Sequence, residues 1–146
     1  MPRRNVNITV VLGDGPSSTP VAGSWDMGIA VASDGTNDEW GMLIGRAASE
    51  DDDIIGWTIR PQKSGDIATL RTMLDGTIMA KLGPMLGSDL TIGNALWLMI
   101  DGSGRLTDDS DLISNARYCA LALEHNKVEG DYCEVYVMSQ KYVTDV

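Results

Sequence analysis

The sequence predicts an all-β or mainly β fold, a compact small barrel or sandwich of about eight or nine short strands. Apolar and β-branched residues recur in short runs, which is typical of strands. Turn-forming residues separate these runs at intervals of about 8–15 residues. The chain has 146 residues, the length of one ordinary domain, and its 16 glycines fall mostly in the predicted turns. These observations favour a single β-rich domain over residues 7–146, preceded by an N-terminal arm of residues 1–6.

The first half of the chain alternates between β-branched runs and polar turns. A Gly-Asp-Gly-Pro-Ser-Ser-Thr-Pro stretch marks a loop at residues 13–23. The last two predicted strands are expected to form a hairpin around the acidic residues 49–53. The predicted strands are residues 7–12, 27–32, 40–48 and 54–60.

Residues 66–82 fit two patterns. Apolar side chains recur at three- and four-residue spacing, which suits an amphipathic helix. The pair Asp75-Gly76 is instead a strong tight-turn signal between two strands. A glycine in mid-helix costs about 1 kcal/mol relative to alanine. We therefore favour strands at 66–72 and 77–81 over the helix.

Two further hairpins are predicted in the second half. The apolar strand 95–100 turns at 101–104 into a short return at 105–107, and strands 117–123 and 132–138 form the last hairpin. A turn centred near residue 128 places Cys133 opposite Leu123, away from Cys119. Because bridged cysteines need Cα atoms about 4.4–6.8 Å apart, we expect two free, half-buried thiols and a reducing compartment.

The charge balance disfavours several partners. The formal net charge is −10, the sequence pI is about 4.3, and the 11 lysines and arginines are scattered. Nucleic acid and anionic membranes both select basic surfaces, so neither is an expected partner. The longest wholly apolar run, residues 95–100, is far short of the roughly 18–20 residues that span a bilayer. The start of the chain lacks a signal-peptide pattern, so we expect the protein to remain in the cytosol or in a particle assembled there.

Chemistry-bearing clusters are sparse. His125 is the single histidine, predicted in a hairpin tip, and one histidine with two distant cysteines cannot complete a zinc site. No phosphate-binding glycine motif is present. The acidic segments 50–53 and 108–111 are either solvated tips or weak calcium candidates. We expect no catalytic residue, no metal and no cofactor, hence a protein that is not an enzyme.

Two features indicate docking on other proteins. Pro2, Arg3, Arg4 and Asn5 form the only basic cluster of the acidic chain, and such an arm can order on an acidic partner or add a strand to its sheet. Trp25 and Trp40 lie beside Gly, Ser or Asp. Tryptophan is enriched at interface hot spots, although burial as a lid on the core fits these residues equally well.

Turn and strand motifs follow one another in a distinctive order between residues 66 and 137. This order resembles that of tailed-bacteriophage capsid decoration proteins, also called cement or head-stabilising proteins. The sequence departs from the family pattern at Asn94 and Cys119, where Asp and Gly are expected. The motifs are Asp-Ile-Ala-Thr-Leu at 66–70, Asp-Gly-Thr-Ile-Met-Ala-Lys at 75–81, Ile-Gly-Asn-Ala-Leu-Trp at 92–97, Asp-Gly-Ser-Gly-Arg-Leu-Thr at 101–107, Cys-Ala-Leu-Ala-Leu at 119–123 and Gly-Asp-Tyr-Cys-Glu-Val-Tyr-Val at 130–137.

The resemblance implies a tulip-type β domain on the outer surface of a phage capsid. Such a protein binds and bridges major capsid subunits as a homotrimer, often through an N-terminal arm. The residues expected to contact the partner are Pro2, Arg3, Arg4, Asn5, Trp25 and Trp40. Strand 95–100 would form the protomer core or the trimer seam. The alternative is a soluble carbohydrate- or ligand-binding β-sandwich that uses exposed tryptophans as a stacking platform.

Overall fold

Strands are the main regular secondary structure in the computed structural model, which describes residues 6–15, 23–50, 52–72, 76–113 and 117–142. No helix in these ranges is long and apolar enough to cross a membrane. A 3-10 turn spans Ser110–Leu112. The strands are β1 Val6–Leu12, β2 Ser24–Trp25, β3 Ala30–Asn37, β4 Leu43–Ala47, β5 Gly56–Trp57, β6 Gln62–Lys63, β7 Ile67–Thr72, β8 Gly76–Lys81, β9 Ala95–Leu98, β10 Leu106–Thr107, β11 Arg117–Ala122 and β12 Tyr132–Tyr142.

Five strands close into a small barrel in the order β1-β4-β3-β5-β7. β1 and β7 pair antiparallel from Val6–Thr72 to Val11–Ile67, and β1 pairs in parallel with β4. Side chains alternate across these strands, so every second residue points into the barrel. The buried residues of the barrel interior are Val10, Leu12, Trp25, Ile29, Val31, Ala47, Ala68 and Leu70.

A second sheet packs against the barrel, with the strand order β10-β9-β11-β12-β8. Its buried face shares one core with residues on the outside of the barrel, including Ala30, Ala32 and Trp57. Val31, between the two alanines, belongs to the barrel interior. β3 is therefore buried on both faces at its start, and its alanines let the second sheet approach closely.

The predicted fold class is confirmed, because the described chain is a barrel packed on a second sheet. The described residues between 66 and 82 contain two strands, β7 and β8, so the helical alternative was wrong. These strands lie in different sheets rather than in one hairpin. The run at 95–100 belongs to the core, since Leu96 and Leu98 are buried. It therefore does not supply a trimer seam through those side chains.

The predicted hairpin of 40–48 and 54–60 was wrong. β4 and β5 pair on opposite sides of β3, so the connecting segment crosses over that strand. The amide of Ile55 donates to the carbonyl of Val31, which fixes the crossing. The last predicted hairpin is confirmed as β11–β12, which pairs Ala122 with Val135. This register places Glu124, not Leu123, opposite Cys133.

Candidate functional site

The turn between β3 and β4 presents a tryptophan to solvent on a pinned backbone. The carboxylate of Asp38 accepts from the amides of Trp40 and Met42 at 2.9 and 2.7 Å. The amide of Asp38 donates to the carbonyl of Met42 at 2.8 Å, and Gly41 takes a positive φ of 81°. Trp40 is 85% exposed on this turn. We call residues 38–42 the Trp40 tip.

The surroundings of the Trp40 tip are acidic. Asp34 and Glu39 are exposed, and residues 33–45 contain no lysine or arginine. Asp34 holds the strand end in place, because its carboxylate accepts from the amide and the hydroxyl of Thr36. An exposed aromatic with fixed acidic neighbours suits a partner that combines an apolar slot with a basic rim.

Trp25 lies in the barrel core, contrary to its expected place among the partner-binding residues. It is 0% exposed, and its indole nitrogen donates to the carbonyl of Gly13 at 2.9 Å. A side chain so enclosed cannot stack on a ligand. The physical reason is that β2 brings the indole under the loop that follows β1, where the barrel needs a large apolar filler. Of the two possibilities for Trp25, the structure supports the core lid.

A surface cleft of about 160 Å³ lies where the barrel meets the edge of the second sheet. Apolar atoms dominate its wall, and two of its residues, Ile59 and Met79, are 42% and 40% exposed. Sequence reasoning missed this cleft, because its walls come from segments far apart in the chain. It is lined by Met27, Thr58, Ile59, Arg71, Ile78 and Met79.

A small polar cluster ties the barrel side to the second sheet next to this cleft. The Tyr132 hydroxyl donates to Asp26 at 2.5 Å, and the Lys81 ammonium lies 3.1 Å from the other carboxylate oxygen of Asp26. The same ammonium lies 4.5 Å from the centre of the Tyr132 ring. Burial opposes ionisation of Asp26, but the hydrogen bonds from Tyr132 and Lys81 outweigh it, so the pKa of Asp26 is lowered. Burial and the bond to Asp26 raise the pKa of Tyr132 to about 12.

We predict that Tyr132→Phe lowers the free energy of unfolding by about 1 kcal/mol near neutral pH, because it removes a half-exposed hydrogen bond to a charged group. Asp26 has a lowered pKa, so its contribution exists above its ordinary pKa of 3.8 and is lost as the pH falls further. Tyr132 has a raised pKa, so its contribution exists below pH 10.0 and is lost toward about pH 12. Urea denaturation of both proteins from pH 3 to 11 should show a constant difference between about pH 5 and 9 that shrinks at either end. A difference independent of pH would contradict this assignment.

The other chemistry-bearing residues serve local structure. The carboxylate of Asp52 binds Arg46 and the amide of Ser49, and that of Asp109 caps the 3-10 turn. Glu50 is buried whereas Asp53 is exposed, so the solvated tip expected for this acidic segment holds for Asp53 and not for Glu50. Within the described ranges, no group of three or more His, Cys, Asp or Glu side chains is placed to hold a metal ion.

Cys133 and His125 do not present an activated pair. Cys133 is a free thiol that is fully buried, not half-buried as expected. Its burial and the nearby charge of Glu124 raise the pKa of the thiol. His125 is exposed, and its Nδ1 lies 3.4 Å from the amide nitrogen of Ile92. The side chain of Cys119 lies outside the described residues, so its predicted state stays a prediction.

Residues 2–5, which contain the two arginines of the predicted arm, also lie outside the described residues. The described chain begins with β1, where Val6 pairs with Thr72. Val6, assigned by sequence to the arm, is thus part of a strand. The partner of Val6, Thr72, follows Arg71 in β7, and Arg71 lines the cleft. The described chain therefore begins close to the cleft.

The fold is similar to that of a protein of known structure, although the sequence matches no known family. No protein-family model and no curated protein matches the sequence. Among solved structures, the chain is similar to the N base of head fiber protein gp8.5 of bacteriophage phi29. The TM-score is 0.64 at 13% sequence identity, and the match covers 94% of this chain and 98% of that one. At this identity the similarity shows a shared fold.

Proposed function

We propose that this protein is a non-enzymatic decoration protein of a phage head, which binds the outer capsid surface and bridges major capsid subunits as a trimer. The observation that carries the proposal is the match in fold, over nearly the full length of both chains, with the base of a phage head fiber. The sequence resemblance to capsid decoration proteins over residues 66–137 points in the same direction.

The physical properties of the described surface support this proposal. A protein that works by docking needs a stable frame and exposed anchors. The barrel and the second sheet supply the frame, and the Trp40 tip supplies an exposed aromatic anchor for a contact with another protein surface. The net charge of −10 slows non-specific association and favours binding to surfaces that compensate it.

Trimer formation would make each weak capsid contact effective. Linked binding sites turn the later contacts into intramolecular ones, which raises the apparent affinity by about 10²–10⁴. Arg3 and Arg4 are the basic groups on the arm, and we propose that they contact acidic groups of the major capsid protein. In this location the protein belongs to the virion, on the outside of a shell assembled in the host cytoplasm.

We predict that removal of residues 1–5 weakens binding to capsid shells at least about tenfold, because the loss at each contact multiplies across a trimer. Residue 6 is kept, since Val6 pairs in β1. Binding is measured by co-sedimentation with purified shells, and folding by the midpoint of urea denaturation. The midpoint should stay unchanged.

A charge-reversal pair supplies the control. Arg4→Glu should weaken shell binding, and more strongly at low salt, because charge attraction is screened by salt. Lys63→Glu makes the same charge change on exposed β6 and should leave binding within about twofold. Equal binding by the trimmed and full chains would remove the arm from the proposal.

The carbohydrate-binding alternative loses support from the position of Trp25. A stacking platform needs exposed aromatic faces, and burial of Trp25 leaves Trp40 without its predicted partner. None of the described residues that line the cleft is aromatic either. We therefore propose the capsid function alone.

A further inference from the structure

We propose that Trp40 of one protomer inserts into the cleft lined by Met27, Ile59 and Met79 of a second copy, and that this contact joins the protomers. This inference rests on the proposed function, which gives the number of protomers as three. It adds the contact that joins the protomers. Both halves of the contact belong to this chain, so no other partner is needed to form it.

The size of the cleft suits an aromatic ring. An apolar protein cavity of about 150 Å³ takes up benzene, and the cleft has a volume of about 160 Å³. It opens to solvent, so the wider indole of Trp40 can enter with its polar edge at the rim. Two of its lining residues are methionines, whose flexible side chains adapt to an inserted aromatic.

The charges on the two surfaces are complementary. Arg71 lies at the cleft, is exposed, and forms no ion pair with a carboxylate of the described residues. Glu39 precedes Trp40, is exposed, and likewise pairs with no described cation. Insertion of Trp40 would bring Glu39 toward the cleft rim, where Arg71 lies. Opposite charges around an apolar anchor select the register of a contact.

The contact joins two different surfaces, so it is head-to-tail. Trp40 is 85% exposed and therefore does not occupy the cleft of its own chain. Head-to-tail contacts build a closed ring when the rotation between copies permits, and a filament when it does not. A ring of three protomers is the closed form that agrees with the proposed function.

The backbone holds both surfaces ready for the contact. Asp38 pins the tip through the amides of Trp40 and Met42. On the other side, the amide of Lys81 donates to Gly28, which fixes β8 beside the segment that carries Met27. Little order is lost on association when the contacting groups are already fixed, which favours binding.

The first test is the mass in solution, by light scattering on a size-exclusion column. The unmodified chain should be a trimer, and Trp40→Ala and Met79→Glu should each be monomers, with dissociation constants raised at least about 30-fold. Leu86→Ala is the matched control, because Leu86 is also strongly exposed, at 68%, but lies outside both surfaces. It should remain a trimer.

Mixing the two variants tests the head-to-tail geometry. Trp40→Ala keeps the cleft and Met79→Glu keeps the tryptophan, so an equimolar mixture should form a one-to-one dimer that neither variant forms alone. A charge exchange gives a second, independent readout. Glu39→Arg and Arg71→Glu should each weaken association, and the double variant should restore it at least in part.

The outcomes separate this inference from the proposed function. A trimer that survives Trp40→Ala would overturn the contact, as would a mixture that stays monomeric. A dimer of the unmodified chain that is lost in Trp40→Ala would confirm the contact and overturn the trimer. If Trp40→Ala stays trimeric but no longer binds capsid shells, Trp40 contacts the capsid protein and the proposed contact between protomers is wrong.

Discussion

Replacement of Trp25 by alanine is expected to lower the free energy of unfolding by about 3–5 kcal/mol, the cost of deleting a fully buried large aromatic. Trp25 is 0% exposed in the barrel interior, so its removal leaves a cavity against Leu12 and Ile29 of the same core. It also leaves the carbonyl of Gly13 without the indole donor at 2.9 Å. A loss of this size is a large part of the stability of a domain of this length.

Trp40→Ala is the matched control, because it deletes the same side chain from an 85% exposed position. We expect a change within about 0.5 kcal/mol. Urea denaturation followed by far-ultraviolet circular dichroism measures both variants, since that signal does not depend on the removed fluorophore. Both variants are measured at low protein concentration. Self-association would otherwise stabilise Trp25→Ala, which keeps Trp40, but not Trp40→Ala. Similar losses in the two variants would contradict the assignment of Trp25 to the core.

Local sequence could not assign different places to these tryptophans. Both stand next to Gly, Ser or Asp in loop-like segments, and this neighbourhood is the same for a lid and for a hairpin tip. What separates them is pairing at long range. β2 pairs with β6, which positions Trp25 in the barrel core, whereas the turn at Asp38 holds Trp40 in solvent.

The strands themselves were predictable because their signals are local. Alternation and turn residues located β1, β7, β8, β9, β11 and β12. The hairpin between β11 and β12 was also predictable, since strands joined by a short polar turn usually pair. Its register differed by one residue from the prediction, because the turn centre cannot be placed that finely from composition.

The sheets were less predictable, because strand pairing is not local. Asp75-Gly76 suggested that β7 and β8 pair, yet β7 pairs with β1 and β5 and β8 pairs with β12. β7 thus closes the barrel while β8 forms the edge of the second sheet. The cleft lies between β7 and β8. It could not be predicted from the sequence, because the sequence did not show that these two strands belong to different sheets.

Gly28→Ala is expected to lower the free energy of unfolding by about 2–5 kcal/mol, from a positive φ that costs a side chain about 1–2 kcal/mol and from overpacking at about 1–3 kcal/mol. Gly28 has a φ of 75°, and an added Cβ would lie 2.8 Å from the backbone nitrogen of Lys81 and the carbonyl oxygen of Met79. Because both atoms belong to the backbone of β8, the clash can be relieved only by moving that strand or the segment around Gly28.

Gly93→Ala measures the part of this loss in stability that the positive φ alone causes, without a clash. Gly93 has a φ of 95°, and an added Cβ would meet no atom within 4 Å. It should therefore lose only about 1–2 kcal/mol. Equal losses in the two variants would show that the backbone of β8 yields to the added methyl group and that the approach at Gly28 is not tight.

The same pair of variants connects stability to docking. Gly28 donates to Thr58 and accepts from Lys81, at 2.9 Å in each case, so it sets the distance between the barrel side and β8. Met27 and Met79 face the cleft from these two sides. At temperatures where both variants remain folded, Gly28→Ala should therefore weaken self-association, and Gly93→Ala should not. Unchanged association in Gly28→Ala would mean that the cleft tolerates movement of β8, and the proposed contact would then owe its strength to Trp40 and the charges alone.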